Sequence, residues 1–239
     1  MATIVLVHGA GHGGWCWDLT APMLRDAGHQ VFTPTLTGLG DRAHLLDDRV
    51  GLAMHIDDIA GLLRDNDLRD VILVGHSYGG PVITGAADRE PERVAALVYL
   101  DTVYVASGRS VLDTLGPPIE ALRTRGAVVD GVELILLPTA DGGPFYGVTD
   151  PDEQAFMRGK LTAFPWLCFT QPLQLADPER VAAIPSFHVA CANGPAVLPA
   201  DLAAEAGAEG RYWELDTHHE LMISQPKVLA GILMEIADR

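Results

Sequence analysis

The ten residues from Val71 to Gly80 constrain this chain more than any other stretch. A β-branched and leucine-rich run, Val71-Ile72-Leu73-Val74, ends in Gly75-His76-Ser77-Tyr78-Gly79, and a helix-compatible segment runs on from Pro81 to Asp88. A buried strand that turns sharply through G-x-S-x-G into a helix is a nucleophile elbow. So tight a turn leaves no space for a Cβ beside the neighbouring strand and helix, which accounts for Gly75 and Gly79. Ser77 is then expected to project from the carboxyl edge of a sheet, next to a helix N-terminus that favours developing negative charge. A glycine-rich turn without chemistry is the competing reading, and the rest of the chain has to decide between them.

That rest alternates between strand and helix signals. Strands are expected at Thr3 to Val7, Gln30 to Thr33, Val94 to Leu100, Ser186 to Ala192 and Arg211 to Leu215. Helices are expected at Trp17 to Ala27, Leu52 to Asp65, Pro199 to Ala206 and near the C-terminus. In the second of these Leu52, Ile56, Ile59 and Leu63 recur at helical spacing. Such alternation predicts an α/β fold, a mostly parallel sheet with helices on both faces. It is broken between Thr102 and Pro172 by Pro117-Pro118, Pro138, Gly142-Gly143-Pro144 and Pro165. An insertion of that length is read as a helical cap over the site, not as a structureless loop. The expected organisation is therefore a core of residues 1–101 and 173–239 with a cap at 102–172. Tyr104, Phe145, Tyr146, Phe156, Phe164, Trp166 and Phe169 of the cap either line an apolar pocket or pack a small core of its own.

After the first strand comes His8-Gly9-Ala10-Gly11-His12-Gly13-Gly14-Trp15. Gly9, Gly11 and Gly14 match a dinucleotide fingerprint in form, but no acidic residue closes the next strand to hold a ribose. A phosphate-binding P-loop is excluded because its lysine is missing. The run suits an oxyanion loop, in which the amides of Ala10 and Tyr78 point at the same substrate oxygen. The turn-rich Pro34–Arg42 segment is expected near the mouth of the site.

Composition narrows the partners. The net charge of −16 works against nucleic acid and anionic membranes. No apolar run is long enough to span a bilayer, and Met1-Ala2-Thr3 leads straight into a strand without the features of a signal peptide, so cytoplasmic residence is the expectation. Cys16, Cys168 and Cys191 are odd in number and sit among apolar neighbours, which suits buried thiols. No zinc-type spacing occurs, and no metal, nucleotide or organic cofactor is implied. The expected partner is a small-molecule ester, and a homodimer is compatible with the chain.

The last expected strand is followed by Asp216-Thr217-His218-His219-Glu220. A histidine there is placed to act as the general base for Ser77, with two adjacent candidates. Together, HGAGHGGWCW, PTLTGLGDRAHLL, VGHSYGG and HELMISQP resemble the α/β-hydrolase superfamily, and within it the branch of plant methyl-ester esterases, hydroxynitrile lyases and bacterial esterase relatives. The resemblance covers nearly the whole chain and is weakest in the cap between Ser107 and Asp150. It implies that the base stands seven residues before a proline, and counting back from Pro226 selects His219.

The acid departs from the pattern of that branch. The aspartate is usual in the loop after the penultimate strand, where this chain reads Cys191-Ala192-Asn193-Gly194-Pro195 without a carboxylate. Other branches place the acid after the strand that follows the nucleophile helix, and Asp101 occupies that position. Asp101 is therefore assigned to orient His219, with Asn193 as an uncharged substitute and a structural or substrate-contacting role for Asp101 as the alternative. Lyases of the branch carry Thr or Asn after the first-strand histidine and some carry lysine after the catalytic one. Gly9 and Glu220 stand at those positions here, and Glu220, a loop glutamate, is expected to face solvent. Three functions stay open: a serine esterase working through an acyl-enzyme, a cofactor-free lyase or cyclase reusing Ser77 and His219, and a ligand receptor without turnover.

Overall fold

The computed structural model describes residues 1–135, 146–194 and 198–239. Six strands, β1 (Thr3–Val7), β2 (Gln30–Phe32), β3 (Val71–His76), β4 (Val94–Leu100), β8 (Ser186–Asn193) and β9 (Tyr212–His218), form one sheet in the order β2-β1-β3-β4-β8-β9. Every pairing in it is parallel. A sheet covered on both faces needs apolar residues at every strand position, and alternation then divides them between two cores. On one side Val5, Val7, Leu73 and Leu97 pack with Ile56, Ile59, Val82 and Ile83 of the helices Leu52–Asp65 and Gly79–Arg89. On the other, Ile4, Leu6, Val74 and Val98 pack with Leu24 and with Leu229, Leu233 and Ile236 of the C-terminal helix Pro226–Ala237.

Most element boundaries fall where periodicity puts them, and the differences have local causes. The helix expected at Trp17 to Ala27 is split into a 3₁₀ turn at Gly14–Trp17 and a helix at Ala21–Asp26 whose first turn contains Pro22, because proline is tolerated only at a helix start. The elbow helix begins at Gly79, ahead of Pro81. The strand expected at Arg211 to Leu215 continues to His218, paired with Asn193 of β8.

Between β4 and β8 the chain is not purely helical. Short helices at Val111–Leu115, Pro117–Leu122, Pro151–Met157 and Leu167–Thr170 are joined by a three-stranded antiparallel sheet of β5 (Gly126–Val129), β6 (Val132–Ile135) and β7 (Phe164–Pro165). Asp130 (φ 52°) and Gly131 (φ 83°) make the two-residue turn of the β5–β6 hairpin. Phe164, Trp166 and Phe169 are buried, while Phe145 lies outside the described residues. Among the described residues no helix is long and apolar enough to cross a membrane.

Candidate active site

Ser77 follows β3 with φ 54°, a left-handed conformation costly for a residue with a Cβ. The surroundings hold it there. Its amide donates to the Leu100 carbonyl at 3.0 Å, and its carbonyl accepts from the Gly80 amide at 3.0 Å and from the Thr102 hydroxyl. A Cβ on Gly75 would lie 2.6 Å from the Gly79 carbonyl oxygen, and one on Gly79 would lie 2.7 Å from that of Val7. Glycine is thus enforced at Gly75 by backbone on the far side of the turn and at Gly79 by the end of the neighbouring strand β1.

Asp101 follows β4 directly and is itself left-handed, at φ 42°. The turn directs its buried carboxylate across to the loop after β9. Oδ2 lies 2.5 Å from Nδ1 of His219, and Oδ1 accepts from the Cys191 amide at 3.2 Å. With Nδ1 committed to the carboxylate, the remaining ring nitrogen of His219 is Nε2. A Cβ on Gly194 would lie 2.0 Å from Asp101 Oδ2, so the loop that usually supplies the acid in the resembled branch here makes space for another one. Asn193 does not bond to His219; its amide donates to Asp216 at 3.3 Å.

Ser77, Asp101, His219, Ala10 and Tyr78 line one cavity of about 480 Å³. No hydrogen bond joins the Ser77 hydroxyl to the His219 ring among the described residues. Neither the Ala10 nor the Tyr78 amide has a backbone acceptor among them. Val103, Val111, Leu115, Ile119, Leu122 and Phe169 supply most of the remaining wall, so it is apolar apart from the groups already named. Among the described aromatic residues of the insertion Tyr146 and Phe169 reach it, and Pro34–Arg42 contributes nothing to it. Leu36 and Leu39 of that segment are buried in the core instead.

Around the site, His76 and His12 carry no role in the sequence reading, and the place of Glu220 differs from the one expected of it. His76, inside the elbow, donates through Nε2–H to the His219 carbonyl at 3.0 Å, and the two rings stand 4.6 Å apart. Burial, reinforced by the neighbouring His219 ring, holds its pKa down at about 3, so this ring is neutral. His12 donates from Nδ1 to the Ala10 carbonyl at 2.8 Å. Glu220 is fully buried, contrary to the solvent-facing position expected of it, and lies 3.2 Å from His12 Nε2. Burial alone would push the Glu220 carboxyl up, but the charge and proximity of His12, with the His76 and His219 rings adding to them, together outweigh it and bring the pKa down to about 2. An ionic partner folded beneath the loop from distant sequence is what the local reading lacked. The signal available was the pairing of a histidine-containing oxyanion loop with an acidic residue next to the base. Among the described residues no three His, Cys, Asp or Glu side chains come together to hold a metal ion.

Comparison with known proteins agrees with this architecture. The chain is 56% identical over 115 residues to a carbendazim hydrolyzing esterase from Nocardioides sp., an alignment covering 48% of each chain. The match therefore takes in only about half the length of that relative. A pyrethroid hydrolase from Sphingobium wenxiniae is 27% identical over 258 residues, covering 98% of this chain and 87% of the other. An extracellular alpha/beta-hydrolase from a Paenibacillus species superposes with a TM-score of 0.79 over 98% of both chains at 24% identity, which establishes a common fold. The match to the alpha/beta hydrolase family extends over residues 4–232, and with the strand order and the elbow at Ser77 it shows that this chain belongs to that family.

Proposed function

We propose that the protein is a serine hydrolase that cleaves small, neutral carboxylic esters through an acyl-enzyme. The observation that carries this reading is the 2.5 Å contact between Asp101 and Nδ1 of His219 on the wall of the cavity that also receives the strained Ser77. Asp101 fixes the imidazole so that Nε2 accepts the Ser77 proton as Oγ attacks the ester carbonyl. The Ala10 and Tyr78 amides hold the resulting oxyanion, each worth about 3 kcal/mol by analogy with other such donors. His219 then protonates the departing alcohol, and water attacks the acyl-enzyme by the same route in reverse.

The apolar wall sets the substrate class. A cavity of about 480 Å³ is in the usual size range for small ligands, and among the described residues its wall offers no Lys or Arg to a carboxylate on the substrate. Neutral aryl or alkyl esters suit it, and the carbendazim- and pyrethroid-hydrolysing relatives support looking among aromatic ones. The insertion at 102–172 acts as the lid that shapes this wall. Gly9 supplies no side-chain donor, and Glu220 is engaged with His12, so the groups that the lyase reading requires are missing. The buried free cysteines suit a reducing cytoplasm.

The test is hydrolysis of p-nitrophenyl butyrate and of carbendazim by the wild type and by Ser77→Ala. The variant is expected to lose at least about 10³-fold in kcat with an unchanged melting temperature. Undiminished turnover in Ser77→Ala would refute the mechanism.

A further inference from the structure

Two buried groups have no part in the mechanism just given. Glu220 lies at 0% exposure and His12 at 1%, packed between the oxyanion loop and the base loop. Each is expensive to hold there, because an ion removed from water loses several kcal/mol of solvation unless it is paired and hydrogen-bonded. The pairing is present, at 3.2 Å between His12 Nε2 and Glu220 Oε2. The hydrogen bonds are not: the contact is off the N–H axis, and both Glu220 oxygens and His12 Nε2 lack a hydrogen-bond partner. Replacing such a pair with apolar side chains is often neutral or stabilising, so fold stability does not account for it.

The protonation of His12 follows from what faces it. Nδ1 meets the Ala10 carbonyl oxygen and Nε2 meets a carboxylate oxygen. Both are acceptors, so both ring nitrogens carry protons and the ring is an imidazolium. Its other neighbours are the Trp15, Tyr146 and His76 rings, and Cys16 lies within the field of Glu220; His76 is neutral, leaving Glu220 as the counter-charge. The Ala10 carbonyl also accepts from the Tyr146 hydroxyl at 3.3 Å. It is therefore clamped from two sides, in the same residue whose N–H is assigned to the oxyanion.

We propose that Glu220 and His12 form a positioning pair: Glu220 keeps His12 charged, and His12, through a charge-assisted hydrogen bond to the Ala10 carbonyl, sets the oxyanion loop against the loop that carries His219. Since Glu220 follows His219 directly in sequence, the strut ties the oxyanion donor to the base. A charge-assisted bond is roughly twice as strong as a neutral one, and the imidazolium adds a positive charge close to where the oxyanion develops. The inference rests on the esterase reading for its catalytic consequence, but not for the state of the pair.

The test uses Glu220→Gln, His12→Asn and the double variant in the full chain. Histidine ¹⁵N NMR at pH 7.5 should show His12 doubly protonated in the wild type and neutral in Glu220→Gln. His12→Asn keeps a donor near the Ala10 carbonyl and loses the charge. Each single variant should lower kcat for p-nitrophenyl butyrate by about tenfold or more with KM nearly unchanged. The double variant should be no worse than the singles, because they remove one charged unit. Affinity for an aryl trifluoromethyl ketone, whose adduct places an oxyanion in the hole, should fall in parallel, while affinity for the product alcohol stays constant. A neutral His12 in the wild type, or single variants with wild-type kcat and ketone affinity, would overturn the proposal. A wild type without ester turnover but with a charged His12 that Glu220→Gln neutralises would sink the esterase reading and leave the pair standing.

Discussion

Two histidine–carboxylate pairs lie beside the same loop, and they are built differently. Asp101 and His219 meet at 2.5 Å, and the second carboxylate oxygen takes the Cys191 amide. Glu220 and His12 meet at 3.2 Å with no hydrogen bond to either carboxylate oxygen. The first pair sits at the sheet edge, where β8 ends with an amide free to bond, and it opens onto the cavity. The second sits between loops, where only charge is on offer. One pair is satisfied locally and can orient a proton acceptor precisely; the other is held by Coulomb attraction alone and can only pull two loops together. Burial is common to both, so burial does not tell the two roles apart, whereas hydrogen-bond completeness does.

Removing the charge of the first pair should therefore have the largest effect in the molecule short of losing Ser77 or His219. In Asp101→Asn the amide can present N–H to Nδ1 and drive His219 into the wrong tautomer. The expected loss in kcat is about 10⁴-fold, with KM within about threefold, because the interaction belongs to the transition state. Steady-state kinetics on p-nitrophenyl butyrate decide it. If Asp101→Asn kept more than about a tenth of the rate, the two pairs would rank as equals and the distinction drawn from hydrogen bonding would fail.

Much of this arrangement was legible in the sequence, for reasons that are local. The elbow, the helix Leu52–Asp65 and the strand Val94–Leu100 follow from periodicity and from glycine at forced positions. The proximity of Asp101 to His219, 118 residues apart, follows from the resemblance to branches that carry the acid after the strand following the nucleophile helix, and the parallel sheet brings both strand ends to one edge. The β5–β6 hairpin is a departure from the helical cap expected there, although Asp130-Gly131 between Val128-Val129 and Val132 carries a two-residue turn signal. The burial of Glu220 was not legible. Nothing near it in sequence is a cation, and its partner lies at the opposite end of the chain.

A third set of histidines sharpens the comparison by having no carboxylate. His8 donates to the Gly9 carbonyl and accepts from the Leu36 amide, His55 donates to the Thr37 carbonyl and accepts from the Tyr78 hydroxyl, and His76 donates to the His219 carbonyl. Burial lowers their pKa values from 6.5 to about 3, 4 and 3 respectively. As the pH falls below 6.5 the unfolded chain takes up protons at these residues that the folded chain refuses until about pH 4 to 3. The contribution of these three histidines is thus complete above pH 6.5 and declines below it, by about 1.4 kcal/mol per pH unit for each of them. Glu220, depressed to about 2, adds a further loss between its ordinary pKa and that value. The melting temperature should drop steeply from pH 6.5 to pH 4.5. A flat profile over that interval would mean that these rings accept protons in the folded state, and the contrast with the charged pair at His12 would disappear.

The smallest effect is expected from the most exposed of the three pairs. His218, next to the proposed base, donates from Nε2 to Glu153 at 2.7 Å, and its Nδ1 accepts from the Glu220 amide at 3.2 Å. Glu153 belongs to the helix Pro151–Met157, so the pair ties the insertion to the base loop. Its side chains are 15% and 20% exposed, and a typical hydrogen bond contributes only about 1 kcal/mol net. His218 is absent from the cavity wall, where His219 takes its place. His218→Ala should therefore keep kcat within about threefold and lower the melting temperature by roughly 2–4 °C, the shift that 1 kcal/mol produces in a chain of this size. His219→Ala, measured in parallel, should lose activity by about as much as Ser77→Ala, since the two act as a unit. Reversed outcomes would move the base to His218 and make Glu153 its carboxylate. The order of the three pairs would then be set by access to water, not by hydrogen-bond completeness.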